Sequence, residues 1–249
     1  VSRATQTVNN TKVALDGDHR LEEAQNTANQ TITNLTNLNN AQKTAEKQLV
    51  NQSPTLEQVQ QNLQTAQDLD RAMGALRQSI ANQDQVKSES KYLNEDPTVK
   101  ANYDQAVQRA EDIINATQNP ELNKGTIEQA TQAVQNAEQA LHGVEKLNQD
   151  KTTASKELNN LTNLTDAQRE KLKELINHSD SRDDIKQELE QAKQLNNAME
   201  QLKNQVALKD SVHSSSNYFN EDSAQKQAYD DAIKHAEDII KNTNNPNIN

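Results

Sequence analysis

The sequence predicts an all-α chain built from two copies of one 126-residue unit, and three observations carry that expectation. Ala, Leu, Gln, Glu and Lys are abundant, whereas four Gly and four Pro in 249 residues are too few for a turn-rich β fold. The 62 Asn and Gln residues would by themselves suit a disordered tract, but the apolar residues between them recur at steps of three and four, which argues for packed helices. Sliding the chain against itself aligns residues 1–123 with 127–249 without a gap, giving about 50 identical pairs, the signature of an array whose neighbours stack. "LTNL" at 35–38 returns at 161–164, "AM" at 72–73 at 198–199, and "AEDII" at 110–114 at 236–240.

Each helix can be placed from its start signal and its spacing. A short helix follows the pair Asn39 and Gln42, and its copy runs from about Asp166 to Asn177 behind a capping box of Thr165 with Gln168, with Leu172, Leu175 and Ile176 facing inward. A long helix carries Val59, Leu63, Ala66, Leu69, Met73, Leu76 and Ile80. Its copy, 181 to about 212, carries Ile185, Leu189, Ala192, Leu195, Met199, Leu202 and Val206. A mean step of about 3.5 residues is the seam of helices packed at a shallow angle. A third helix runs from Pro97 to about Thr117 with Asp96 as N-cap and Pro97 at its first position; in the copy Asp222 caps and Gln225 completes a box. The last begins at Thr126, with Gln129 three residues on. It holds Ile127, Ala130, Val134, Ala137, Leu141, Leu147, Ala154, Leu158 and Leu161 in register to about Asn160, with Gly143 as a possible kink.

Two long helices, one medium and one short per unit pack most simply as alternating three-helix bundles that share their long helices, giving an elongated rod. With 32% hydrophobic and 2% aromatic residues, a single large core is excluded. The five aromatics, Tyr92, Tyr103, Tyr218, Phe219 and Tyr229, fall in two matching places, around "YLNED" at 92–96 and "YFNED" at 218–222. Tyr92, Tyr103, Tyr218 and Tyr229 are expected in the core beside Met73, Met199, Leu195 and Leu202, with the phenol oxygens of Tyr92 and Tyr103 reaching its edge.

The net charge of −11 is spread along the chain with no basic stripe, which argues against nucleic acid. No apolar run approaches the roughly 20 residues that cross a bilayer. No signal peptide is read at Val1, and the absence of Met at position 1 points to a piece of something longer. Cysteine is absent, so disulfide and thiolate chemistry are excluded. No histidine recurs between copies: His19 aligns with Glu145, His142 with Asp16, His178 with Gln52, His213 with Lys87 and His235 with Arg109. The histidines therefore read as solvated surface. The recurring acidic pairs, Glu95 and Asp96 with Glu221 and Asp222, and Glu111 and Asp112 with Glu237 and Asp238, lack a turning glycine for calcium and read as a cap and solvated helix faces. No catalytic, cofactor-binding or metal-binding residues are assigned, and an enzyme is not expected.

The segment "YDQAVQRAEDIINATQNPELNKGTIEQATQAVQNAEQAL" (103–141) resembles the FIVAR module, and "LTNLTDAQREKLKELINHSDSRDDIKQELEQAKQLNNAM" (161–199) resembles the GA module. Alternation of the two at this period resembles the repeat region of giant staphylococcal surface adhesins, over the whole chain. The resemblance implies a truncated FIVAR-like end at 1–14, a GA-like bundle at 15–76, a FIVAR-like bundle at 77–140, a second GA-like bundle at 141–202 and a truncated FIVAR-like bundle at 203–249. It further implies a monomeric, cell-wall-associated chain with fibronectin as ligand class and no membrane insertion. Two alternatives are a pure spacer stalk and an albumin-binding array. Albumin is disfavoured, because Asp166, Ala167 and Gln168, and Asn40, Ala41 and Gln42, stand where albumin-binding GA modules are expected to carry aromatics. If the long helices are shared, Leu195→Pro loosens both adjoining bundles, and amide hydrogen exchange will accelerate in each; acceleration in only one refutes the sharing.

Overall fold

The computed structural model describes residues Val1–Asn249 and contains helices as its only regular secondary structure. In chain order these are α1 (Ser2–Val13), α2 (Gly17–Asn34), α3 (Asn40–Asn51), α4 (Leu56–Ile80), α5 (Gln83–Ser88), α6 (Ser90–Leu93), α7 (Pro97–Asn115), α8 (Lys124–Gln139), α9 (Gly143–Asn159), α10 (Asp166–His178), α11 (Arg182–Ala207), α12 (Lys209–His213), α13 (Ser216–Phe219) and α14 (Ser223–Lys241). They divide into two compact units, Val1–Ser88 with Asp96–Leu141, and Glu89–Glu95 with His142–Asn249.

In the first unit α2, α3 and α4 enclose Ala28, Ile32, Val50, Val59 and Ala66. The same α4 packs against α7 and α8, where Tyr103, Val107, Ala110, Ile127 and Val134 are buried. Its 25 residues span about 37 Å, more than one small bundle covers, so it serves two. In the second unit α9, α10 and α11 close over Leu147, Ala154, Leu158, Leu172, Ile176, Ile185, Ala192 and Met199, and α14 packs on α11. Polar starts fix these helices. Thr55 accepts from Gln58 N at 3.1 Å, Ser181 accepts from Asp183 N and Asp184 N, and both boxes, Asn39 with Gln42 and Thr165 with Gln168, are complete.

Three expectations are corrected. The helix read as continuous from Thr126 to Asn160 begins at Lys124, capped by the Asn123 side chain, and is interrupted at Ala140–His142. The same break recurs at Ala14–Asp16 between α1 and α2, where Gly17 faces open space, so its cause is local; in the second unit the His142 N–H that the break frees donates to Glu95 Oε2 at 2.5 Å. The long helix beginning after Ser181 ends at Ala207, with the short α12 behind it. At Asp222 no box forms; the residue occupies the N-cap without a side-chain cap bond, and Gln225 N donates to its backbone carbonyl.

The two cores differ at one telling place. Glu46 aligns with Leu172, a core residue of the second unit, yet it is itself 1% exposed. Its Oε2 is buried without a hydrogen-bond partner, and burial raises its carboxyl above the usual carboxylate range. The folded chain thus holds this proton more tightly than the unfolded chain does. Stability contributed at this site rises as pH falls from neutral toward the ordinary value of 4.5 and is lost as pH climbs through the raised one. Replacing Glu46 by Leu is expected to stabilise the first unit by about 2 kcal/mol at pH 7. It should also abolish this pH dependence, as read by urea unfolding of the full chain at pH 5 and pH 7.5.

Candidate functional site

The residues expected to build the core are not equally deep. Met73, Tyr103, Leu195 and Met199 are buried, whereas Tyr92, Tyr218, Tyr229 and Leu202 are half-buried. Tyr103 is wholly enclosed, so its phenol does not reach the edge as the sequence suggested. No cluster of three or more His, Asp or Glu residues is arranged to hold a metal ion.

The recurring "NED" triplet has a function in the structure that its sequence reading missed. Glu95 is buried, not a solvated acid. One oxygen takes the His142 N–H at the start of α9, and the other lies 2.6 Å from Lys146 Nζ. The N–H groups at a helix start have no partner within the helix and carry partial positive charge, so a carboxylate satisfies and stabilises them. Next to it, Asn94 bridges to the start of α11: its Nδ2 donates to the Asp180 carbonyl at 2.9 Å, and its Oδ1 accepts from Arg182 N at 3.0 Å. Arg182 is held in turn by Asp150, Nε to Oδ2 at 2.7 Å. Segment 89–95 thus clasps the first turns of two helices of the GA-like bundle. The fit is close at Gly143, where a Cβ would stand 2.5 Å from the Lys91 carbonyl oxygen, 2.8 Å from Glu95 N and nearer still to the Ser90 carbonyl oxygen.

A second polar contact recurs in both units. Gln42 and Gln168, each buried at the third position of its short helix, complete their capping boxes and then reach a chain segment 79 residues further on. Gln42 Nε2 donates to the Glu121 carbonyl at 2.8 Å, and Gln168 Nε2 to the Asn247 carbonyl at 2.6 Å. Asn39 Nδ2 adds bonds to the Ile113 and Ile114 carbonyls at the end of α7. The start of each short helix is therefore occupied by the tail that follows α7 or α14, and Asn119 turns the first of these tails at φ 48°. The capping signal was readable in the sequence, but the partner was not.

Around α12–α14 the histidine reading needs correction. His213 is not free in solvent: its Nε2 lies 2.7 Å from Asp230 Oδ1, and the Tyr218 hydroxyl donates to Asp230 Oδ2 at 2.8 Å. Tyr218 and Tyr229 pack around the imidazole, at 4.6 and 5.8 Å between centroids. The hydrogen bonds from His213 and then Tyr218 hold the Asp230 carboxyl below its ordinary value. In the first copy the aligned pair is an ordinary bridge, Lys87 to Asp104 at 3.0 Å. In both copies this place pairs a carboxylate with a nitrogen-bearing side chain, and the partner differs between them.

Helical bundles that share helices, with helix starts held by polar groups from distant segments, define an array of helical modules. The domain families agree: the chain matches the FIVAR domain at residues 72–142 and 198–249, and the GA module at 18–72 and 144–198. Across its whole length it is 45% identical to the extracellular matrix-binding protein EbhA of Staphylococcus aureus strain Newman, of which it spans 7%. It is likewise 45% identical to the extracellular matrix-binding protein ebh of strain USA300 / TCH1516, of which it spans 2%. A crystal structure of a domain of Staphylococcus aureus EbhA is 35% identical and superposes with a TM-score of 0.73, over 77% of this chain and 78% of that one. The chain belongs to the Ebh family of extracellular matrix-binding proteins.

The two copies provide a matched test of the clasp. Gly143→Ala must displace backbone and is expected to cost about 2 kcal/mol. Gly17→Ala, at the aligned glycine with nothing within 4 Å, is expected to be neutral or slightly stabilising. Thermal unfolding monitored by circular dichroism separates them, and equal effects would refute the close approach at Gly143.

Proposed function

We propose that the chain is a segment of a cell-wall-associated bacterial adhesin, an extended series of helical modules that touches fibronectin weakly and gains hold through many copies. Similarity over the whole of this chain to a small part of much longer proteins named for binding extracellular matrix carries this reading. The physical features are consistent with it: the surface is polar, net charge is −11, and no helix is long and apolar enough to cross a membrane. Weak contacts repeated along one chain raise the effective concentration of the next contact, so avidity does not require a deep site in any single module. The modules act without catalysis. Albumin is not the ligand in this reading, since no aromatic anchor stands at the start of either short helix and Gln42 and Gln168 there are buried beneath a tail.

One observation favours a spacer. The polar groups that both units use in the same way, Gln42 and Gln168, serve internal contacts. Surface plasmon resonance of this chain over immobilised fibronectin, with serum albumin in a parallel channel, discriminates the readings. Saturable fibronectin binding with a Kd of about 10–500 μM is expected, in the range of small, wet interfaces. Silence in both channels at millimolar concentration assigns the chain to spacing, and binding to albumin alone overturns the reading of the short helix.

A further inference from the structure

Glutamine is abundant in this chain, and its carboxamide is an acyl group that an enzyme thiol can attack. Access to such a thiol depends on the backbone. A glutamine side chain is short and the thiol lies in a cleft, so the chain around the glutamine must come to the cleft mouth, which the neighbouring turns of a packed helix prevent. Every glutamine except Gln52 and Gln118 lies within a helix. Gln52 caps the end of α3, and its N–H still donates to the Gln48 carbonyl at 3.0 Å, as the last turn of that helix. Gln118 alone stands in irregular backbone, in segment 116–123 between α7 and α8.

That segment is fastened on both sides of the glutamine. Before it, the Ile113 and Ile114 carbonyls accept from Asn39 Nδ2, each at 3.2 Å. After it, the Glu121 carbonyl accepts from Gln42 Nε2 at 2.8 Å. Thr117, Gln118 and Asn119, between these anchors, are exposed. Asn119 bends the chain at φ 48°, and Pro120 lacks the N–H with which a helix would continue. The glutamine is thus presented on a non-helical bend whose ends are already fixed, so little ordering remains to oppose its capture. In the second copy Asn244 stands at the aligned position, with a side chain one methylene shorter.

We propose that Gln118 is an acyl-donor glutamine, through which a thiol acyltransferase of the transglutaminase class joins this chain to a primary amine. The enzyme's thiolate attacks the Gln118 carboxamide carbon, the C–N bond breaks, and ammonia leaves as the thioester forms. The ε-amine of a lysine then attacks the thioester carbon, loses a proton and expels the thiolate, leaving an amide bond between the two side chains. No oxidant or reductant enters. That the lysine belongs to a matrix protein rests on the proposed function, whereas the site itself does not. A contact that is weak in each module becomes permanent once one such bond has formed.

The test incubates the full chain with calcium-activated tissue transglutaminase and the fluorescent amine monodansylcadaverine, and reads the labelled position by peptide mass spectrometry. Label is expected on Gln118. Gln118→Asn is expected to lose it and Gln52→Asn to keep it, both with an unchanged circular dichroism spectrum. A chain left unlabelled while dimethylated casein in the same mixture takes up the amine overturns the proposal, and so does incorporation that survives Gln118→Asn. Because the probe is a free amine, silence toward fibronectin in surface plasmon resonance would remove the matrix reading and leave this result standing.

Discussion

A helix of 25 or 26 residues with a narrow apolar stripe has no single partner that can cover it, and this constraint organises the molecule. Apolar side chains make up only 32% of the sequence, so each helix buries one thin seam and must find a different neighbour at each end. In α4 the seam passes from Val59 and Ala66, among α2 and α3, to contact with α7 and α8. Two bundles that share a helix are coupled through its backbone, and disorder in one reaches the other without crossing any loop. Such coupling suits a chain whose individual cores are too small for comfortable independent stability.

Where apolar surface is short, buried polar contacts complete the packing. Gln42 and Gln168 illustrate the chemistry. A primary amide at the third position of a helix accepts from its own N-cap backbone through oxygen, and still has an N–H to give a distant carbonyl. Glu95 and Asn94 do the equivalent for the starts of α9 and α11. These bonds are directional, unlike the seam of Ala, Leu and Val, and they fix register where a seam alone would allow helices to slide. The abundance of Asn and Gln, which taken as bulk composition hints at disorder, is in part the material of these contacts.

The local part of this design was legible. Helix existence followed from spacing, and the boxes at Asn39 and Thr165 were readable because cap and partner lie three residues apart. What escaped was set by residues distant in sequence. At the break before α9 only Gly143 gave a local sign, and the carboxylate 47 residues upstream that takes the freed His142 N–H gave none. Glu95 read as a surface acid because acidity is its only local property; its burial depends on Lys146 and α9. The repeat did carry a usable signal. "NED" returns in both copies while flanking residues change, and a recurrence wider than capping by Asp96 alone requires is a mark of tertiary use. The same comparison exposes Glu46, whose partner position holds Leu172.

The clasp also bears on how such arrays change length. Its groups at 94–95 precede α7 and α8 in the sequence and its receiving groups around 143–146 follow them, and the second set of each, at 220–221 and 17–20, keeps the same chemistry: an amide, a carboxylate, a glycine and a basic side chain. A genetic crossover between misaligned copies adds or removes 126 residues, yet every clasp it leaves behind is assembled from these same four groups. Unequal recombination can therefore shorten or extend the coding sequence without producing a mismatched joint, and repeat number becomes a trait free to drift while the chemistry of each connection stays constant.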